Sequence, residues 1–251
     1  MMGLPGKVCL VTGGAGGIGA ATCAVLATAG ARVVLHYHSS EAVASALVAR
    51  FGKEKMVAVK ADLMQPLGAA NLWQAAVAAY GAIDVVNNAA TMPAARLGDD
   101  WHTWHRAWDE TLRVNLVAAA DLSREAVKHF RTRGGGVLIN IASRAAFRGD
   151  TLEYMAYAAS KPGLVALTRS IARGAAADGV VAYTIAPGFV ATSMVKPFVD
   201  QYGEESIVRD IPMGEMAPPH EVASVVAFLA SGVARHATGT TIDINGASYV
   251  R

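Results

Sequence analysis

Seven short strand-length runs, rich in apolar residues and mostly without polar alternation, constrain this chain more than any other feature. They read as strands over 7–12 (KVCLVT), 32–37, 56–61, 83–87, 137–142, 180–185 and 241–244. A strand that is apolar at successive positions must be covered on both faces. Stretches of helical character separate the runs, over 18–28, 41–51, 69–80, 105–131, 154–174 and 219–231. Gly30, Gly52 and Gly81 stop the first three of these, and Pro162 lies inside the fifth. Regular alternation of buried strand and helix predicts an α/β fold: one Rossmann-type, doubly wound, parallel sheet of seven strands with helices on both faces. Such sheets bind ligands beyond the carboxyl ends of their strands.

Composition narrows the reading. Of 251 residues, 53% are hydrophobic, enough for a sizeable core, and no Pro-, Gly- or Ser-rich linker divides the chain, so residues 1–251 are expected to form one domain. The net charge of +2 is small and dispersed, which argues against nucleic acid as a partner. The basic run Arg131-Thr132-Arg133 suits a helix end, stopped by Gly134 to Gly136. Cys9 and Cys23 read as isolated core thiols in a reducing cytoplasm. Pro5, Gly6 and Lys7 interrupt the apolar start, so no signal peptide is expected, and no apolar run reaches membrane-spanning length.

The first strand runs into Thr12-Gly13-Gly14-Ala15-Gly16-Gly17-Ile18-Gly19. Gly14, Gly16 and Gly19 fit the GxGxxG spacing, and Gly13, Gly17 and Gly19 fit TGxxxGxG. In either register, glycine permits a tight turn and close backbone approach to a pyrophosphate, which meets the free N–H groups of a helix start. Strand before and helix after is the context that makes this a dinucleotide site rather than a bare turn. The end of the second strand selects between dinucleotides. It carries no carboxylate before Glu41, whereas His36, His38, Ser39 and Ser40 can accept a 2′-phosphate. That favours NADP over NAD.

Tyr157 and Lys161 stand at i and i+4, on one helix face. Free tyrosine titrates near ~10, too high for ready proton exchange at neutral pH. A neighbouring ammonium stabilises the phenolate and makes the pair a general acid/base for the proton that accompanies a hydride. Ser143 follows the fifth strand, where its hydroxyl can hydrogen-bond a substrate carbonyl; a turn or capping serine is the structural alternative.

Together these segments resemble the short-chain dehydrogenase/reductase family, in particular its 3-oxoacyl-carrier-protein reductase-like group, over nearly the whole chain. The resemblance implies cofactor contacts at Gly13, Gly17, Ile18 and Gly19, and an adenine contact at Asp62-Leu63. Asn87-Asn88-Ala89-Ala90 resembles the family's NNAG, which places Asn88 and Ala89 beside the cofactor. Pro187-Gly188, Val190 and Thr192 resemble the turn over the nicotinamide. Ser143, Tyr157, Lys161 and Asn115 match the catalytic residues, with Lys161 also on the nicotinamide ribose and Asn115 holding a water between Lys161 and solvent. The family's reaction would interconvert a ketone and a secondary alcohol on a small molecule, in a cytoplasmic homo-oligomer, usually a tetramer. Three departures stand out: Ala90 for glycine, no basic residue in the glycine turn, and one extra residue between Ser143 and Tyr157.

The connection over 188–217 is long enough to be a substrate lid, with Met194, Phe198 and Met213 offered to an apolar substrate. Arg144, Phe147 and Arg148 follow the serine and are further candidates for substrate contact, an Arg suiting an anionic group. Trp101, His102, Trp104 and His105 are expected to begin a helix or line a wall; the His102/His105 pair is half a metal site at most, and no metal is expected. Two other functions compete. A non-catalytic dinucleotide sensor on the same fold would not need Ser143, Tyr157 and Lys161. An epimerase or dehydratase using the same cofactor usually carries a further substrate domain.

Overall fold

The computed structural model describes residues 3–88 and 92–251, with residues 86–88 as backbone. The chain runs β1 (Val8–Val11), α1 (Gly17–Thr28), β2 (Arg32–Tyr37), α2 (Glu41–Phe51), β3 (Met56–Lys60), α3 (Gly68–Tyr80) and β4 (Val85–Asn88). It continues through α4 (Trp101–Leu112), α5 (Ala118–Thr132), β5 (Gly136–Ile141), α6 (Ala145–Arg148), α7 (Met155–Ala175) and β6 (Val180–Pro187). Two short helices, α8 (Lys196–Tyr202) and α9 (Glu204–Val208), precede α10 (Pro219–Ala230) and β7 (Thr241–Ile244). The strands form one parallel sheet in the order β3-β2-β1-β4-β5-β6-β7. The order reverses between β1 and β4, so the crevice of a doubly wound sheet opens at their carboxyl ends.

The apolar runs are continuous because each face of the sheet has its own core. On β1, Cys9 and Val11 join Cys23, Leu26, Leu35 and Val226 on one side. Val8 and Leu10 join Val34, Leu72, Leu122 and Leu138 on the other. Each core is thus sealed by helices, α1 and α10 against one face and α3 and α5 against the other. Burial pushes the Cys9 thiol up to about 12 and raises that of Cys23 as well, so both behave as small apolar residues.

Element ends differ from the sequence reading by up to four residues, with reasons in individual contacts. The fourth strand begins at Val85 rather than Ile83, whose N–H is taken by His129 Nε2 at 3.2 Å. The helix expected over 105–131 begins at Trp101, because Asp100 caps it by accepting the Thr103 N–H at 3.0 Å. That helix is also not uniform: Arg113–Val117 forms a π turn with Asn115 inside it, before α5 continues to Thr132. Single π turns within α-helices occur mostly at functional positions. α7, expected over 154–174, begins at Met155 after a 3-10 turn over Leu152–Tyr154 and tolerates Pro162 in its interior.

The connection over 188–217 is built, not irregular. It contains α8 and α9 and is tied at its base by a bridge between Val190 and Ala217. Its side chains close a third apolar cluster over the carboxyl edge of the sheet, where Val195, Phe198 and Ile207 meet Ala145, Tyr154 and Tyr157. Tyr154 stacks on Phe198 with ring centroids 4.6 Å apart. Among the described residues no helix is long and apolar enough to cross a membrane.

Candidate active site

The glycine turn is shaped by backbone contact. Gly13 has a φ of +61°, open to glycine at little cost. A Cβ on Gly19 would stand 2.1 Å from the Gly13 carbonyl oxygen, and one on Gly17 would stand 2.4 Å from Thr192 Cγ2. The turn therefore folds tightly on itself and touches the connection after β6. α1 starts at Gly17 with no side chain capping its first N–H groups and no acid in its first turn, leaving donors for an anion.

A cavity of about 310 Å³ runs from this turn to the tyrosine helix. Gly13, Gly17, His38, Ser39, Tyr157 and Lys161 are among its walls. Ile18, Gly19, Pro187, Gly188, Val190 and Thr192 line it too. A glycine cradle, free helix N–H groups and a cavity leading to the Tyr/Lys pair fit an extended dinucleotide. Asp62 and Leu63 are outside this lining. Asp62 follows β3 and accepts from Met64 N at 2.9 Å and Gln65 Nε2 at 3.1 Å, bonds that hold its carboxyl below the usual range. Its Oδ1 is 4.0 Å from His38 Nε2, which puts it beside the cavity's His38 wall. Asn88 ends β4, in register with Asn140. Ala89, with Ala90, lies outside the described residues.

His36 corrects the sequence reading. It is buried, 4% exposed, and does not line the cavity. Its ring lies between Gly13 N, 3.1 Å from Nδ1, and the Ala61 carbonyl, 3.1 Å from Nε2. Side chains alternate along a strand, yet here tertiary packing turns the histidine inward and leaves His38 and Ser39 to face the cavity.

At the other end, Lys161 is buried and donates from Nζ to the Ile141 carbonyl at 2.8 Å. The same Nζ lies 5.1 Å from the Tyr157 ring centroid. The pKa shifts run against the simple expectation of an ammonium lowering a phenol. Burial pushes Tyr157 up to about 12, partly offset by a hydrogen bond with the Ser143 hydroxyl. Burial also brings Lys161 down to about 7. In the chain by itself, desolvation by burial is the largest cause of both shifts.

Ser143 sits two residues past β5, and its Oγ accepts the Ala145 N–H at 3.1 Å. It is thus both a turn serine and a partner of the phenol. Asn115 is fully buried in its π turn and donates from Nδ2 to Ser160 Oγ at 3.1 Å. Ser160 in turn donates to the Tyr157 carbonyl at 2.8 Å. The asparagine is therefore wired to the tyrosine helix through a serine that the sequence reading missed. The signal was present: Ser160 is i+3 from Tyr157, on the same helix face.

A second cavity, about 460 Å³, meets the first at Ser143, Tyr157, Gly188, Met194 and Val195. Arg144, Arg148 and Asp210 line it beside Phe189, Met194 and Phe198. Arg144 Nη1 lies 3.1 Å from Asp210 Oδ2 and Arg148 Nη1 2.6 Å from the same oxygen, and Arg148 above all holds that carboxyl below its ordinary value. The Arg144 guanidinium also stacks 4.6 Å from the Phe189 ring centroid. Asp210 had no signature in the sequence. Two expected contacts fall elsewhere. Met213 lines a different cavity near the chain end, beside Gly246 and Tyr249, and Phe147 stacks on Tyr249. Trp101 and His105 stack on each other within α4, outside both walls. Among the described residues no group of three or more His, Cys, Asp or Glu could hold a metal ion.

Comparison with known proteins agrees with this geometry. A family model described as enoyl-(acyl carrier protein) reductase matches residues 13–247. Acetoacetyl-CoA reductase of Rhizobium meliloti is 33% identical over 249 residues, spanning 97% of this chain and 98% of its own. 3-Oxoacyl-(acyl-carrier-protein) reductase of Vibrio cholerae is 32% identical over 249 residues, spanning 99% and 100%. The crystal structure of a blue fluorescent protein from a metagenomic library, in complex with NADPH, superposes with a TM-score of 0.89 at 31% identity, covering 98% of this chain and 99% of that one.

Proposed function

The chain belongs to the short-chain dehydrogenase/reductase family, and we propose that Ser143, Tyr157, Lys161 and Asn115 carry out its reaction. It is an enzyme, an NAD(P)-dependent oxidoreductase that interconverts a ketone and a secondary alcohol. The observation that carries the residue assignment is the meeting of two cavities at Ser143 and Tyr157. One is shaped for a dinucleotide and the other opens onto apolar and charged side chains. A substrate carbonyl placed at their junction has the phenol and the serine hydroxyl on its oxygen.

The nicotinamide, when bound, supplies or takes up the hydride. The protein's part is the proton and the polarisation. Burial raises Tyr157 to about 12, so in the chain by itself the phenol keeps its proton at neutral pH; it gives that proton up to the carbonyl oxygen only as negative charge develops there. Ser143 hydrogen-bonds the same oxygen and stabilises the charge that develops there. Lys161, close to neutrality at about 7, holds or releases a proton with little driving force and can restore the phenol's proton. Asn115, through Ser160, holds the tyrosine helix in register and keeps its family role of holding a water toward Lys161 as part of this proposal. A sensor would have no use for that arrangement, and the named relatives are reductases.

The cofactor is NADP in preference to NAD. His38 and Ser39 on the cavity wall, with no carboxylate between them and the turn, support this reading, as does the NADPH held by the metagenomic structure. Gly13, Gly17, Ile18, Gly19, Asp62, Leu63, Asn88, Ala89, Pro187, Gly188, Val190 and Thr192 complete the proposed contacts. The protein works as one domain over 1–251 with 188–217 as substrate lid, acts on a small-molecule ketone or alcohol, and assembles as a cytoplasmic homotetramer. Separate titrations with NADPH and NADH test the cofactor: at least about tenfold tighter binding of NADPH is expected, a difference of about 1.4 kcal/mol. Equal binding, or a preference for NADH, would remove the reading of the β2 end. Tyr157→Phe should lose turnover by about a thousandfold while keeping NADPH binding; retained turnover would take the tyrosine out of the reaction.

A further inference from the structure

We propose that His36 is a positioning residue for the cofactor: its imidazole clamps the glycine turn to the ends of β2 and β3. Three contacts make the clamp. The Gly14 N–H donates to the His36 carbonyl at 2.8 Å. The Gly13 N–H donates to His36 Nδ1 at 3.1 Å, and Nε2 lies 3.1 Å from the Ala61 carbonyl oxygen. These contacts specify the tautomer. Nδ1 is an acceptor and therefore carries no hydrogen, so the neutral ring has its hydrogen on Nε2, where a carbonyl receives it. One buried ring thus satisfies a donor on the turn and an acceptor just before Asp62. It ties together three segments: the turn for the phosphates, the β2 end with His38 and Ser39, and the β3 end with Asp62.

On its other side the turn packs against side chains of β2 and α1. A Cβ on Gly14 would stand 2.8 Å from Leu35 Cγ and 3.0 Å from Cys23 Sγ. Without the histidine, the part-buried Gly13 N–H loses the acceptor that fixes its direction, and the turn is free to shift at the cavity wall. The damage falls at the phosphate and adenosine end, remote from Tyr157, so binding suffers and the chemical step does not.

This inference rests on the dinucleotide reading of the first cavity, and the experiment separates the two. Wild type and the variants His36→Asn, His36→Gln and His36→Leu are titrated with NADPH by fluorescence. Each is also melted without cofactor and assayed for kcat and for KM toward NADPH. Asparagine places an oxygen near the Nδ1 position and keeps the Gly13 bond; glutamine reaches toward Ala61 and loses it; leucine loses both. His36→Asn is expected within about threefold of wild type in NADPH affinity. His36→Gln and His36→Leu are expected about tenfold weaker, with KM raised and kcat little changed, the scale of one hydrogen bond lost from a part-buried donor. If the variants melt lower yet bind NADPH equally when folded, the histidine is structural only and the proposal is overturned. If asparagine fails as badly as leucine, the Gly13 bond is not the link, and the proposal is likewise overturned. Wild type that binds neither NADPH nor NADH would overturn the dinucleotide reading itself, and this inference with it.

Discussion

The glycine turn after β1 and the connection after β6 both border the cofactor cavity, but they are held by different forces. The turn is made by backbone. Its critical distance is the one a Cβ on Gly19 would violate, 2.1 Å from the Gly13 carbonyl oxygen, and its polar contacts run from main-chain N–H groups. The connection is made by side chains: an aromatic stack of Tyr154 on Phe198, and Asp210 shared by Arg144 and Arg148. Backbone contact has little slack, so at Gly19 the turn accepts glycine alone. Side-chain contact can repack, so the other region is free to be remodelled for a different substrate while the dinucleotide stays in place.

The hardest test of this contrast is Gly19→Ala. The new methyl would lie 2.1 Å from one backbone oxygen and 2.9 Å from the Gly14 Cα, and neither belongs to a flexible side chain. NADPH binding is expected to fall at least about a hundredfold, roughly 3 kcal/mol, measured by fluorescence titration beside a thermal melt. Binding at wild-type strength would break the claim that the turn has little slack.

A second test concerns the junction of the two regions, where Lys161 is buried. Its pKa is about 7 in the folded chain against the ordinary 10.5. Between those values the unfolded chain holds one more proton than the folded chain, so stability rises with pH through that window. The slope is about 1.4 kcal/mol per pH unit at most. Tyr157, raised to about 12, works in the opposite sense only above its ordinary 10.0. Lys161→Met should flatten the rise between pH 7 and 10 in denaturant melts of the cofactor-free protein. A variant whose stability still climbs as steeply would show that the lysine is not the buried base responsible.

The smallest effect is expected at the rim. Asp210 is about half-exposed, with a side-chain exposure of 48%, so its pairs are weakened by solvent and worth under about 1 kcal/mol. Asp210→Asn keeps the shape and removes the charge. The KM for the ketone should rise about threefold, with kcat and the affinity for NADPH unchanged. A loss as large as that at Gly19 would mean the lid is as unforgiving as the turn, and the contrast would fail.

Much of the fold was legible because its signals are local or periodic. Apolar runs without alternation imply burial on both faces, and β1 divides as expected, Cys9 and Val11 to one core, Val8 and Leu10 to the other. Tyr157 and Lys161 share a helix face by spacing alone. What escaped the sequence depended on contacts between distant positions. The partner of Asn115 is Ser160, 45 residues away, and the partner of Arg144 is Asp210, 66 residues away. Met213 has the right chemistry for an apolar pocket but is carried to another cavity by the course of the chain after α9.

By itself the sequence determined the strand–helix alternation, the glycine turn and the tyrosine–lysine pair, because each depends on residue type and short spacing. Only the tertiary structure decided what those groups do in place. It turned His36 inward onto Gly13 and Ala61, though its chemistry and place beside His38 also suited a 2′-phosphate. It also set the proton affinities of Tyr157 and Lys161 against the direction their charges suggest, because desolvation is a property of everything packed around a group and not of its neighbours along the chain.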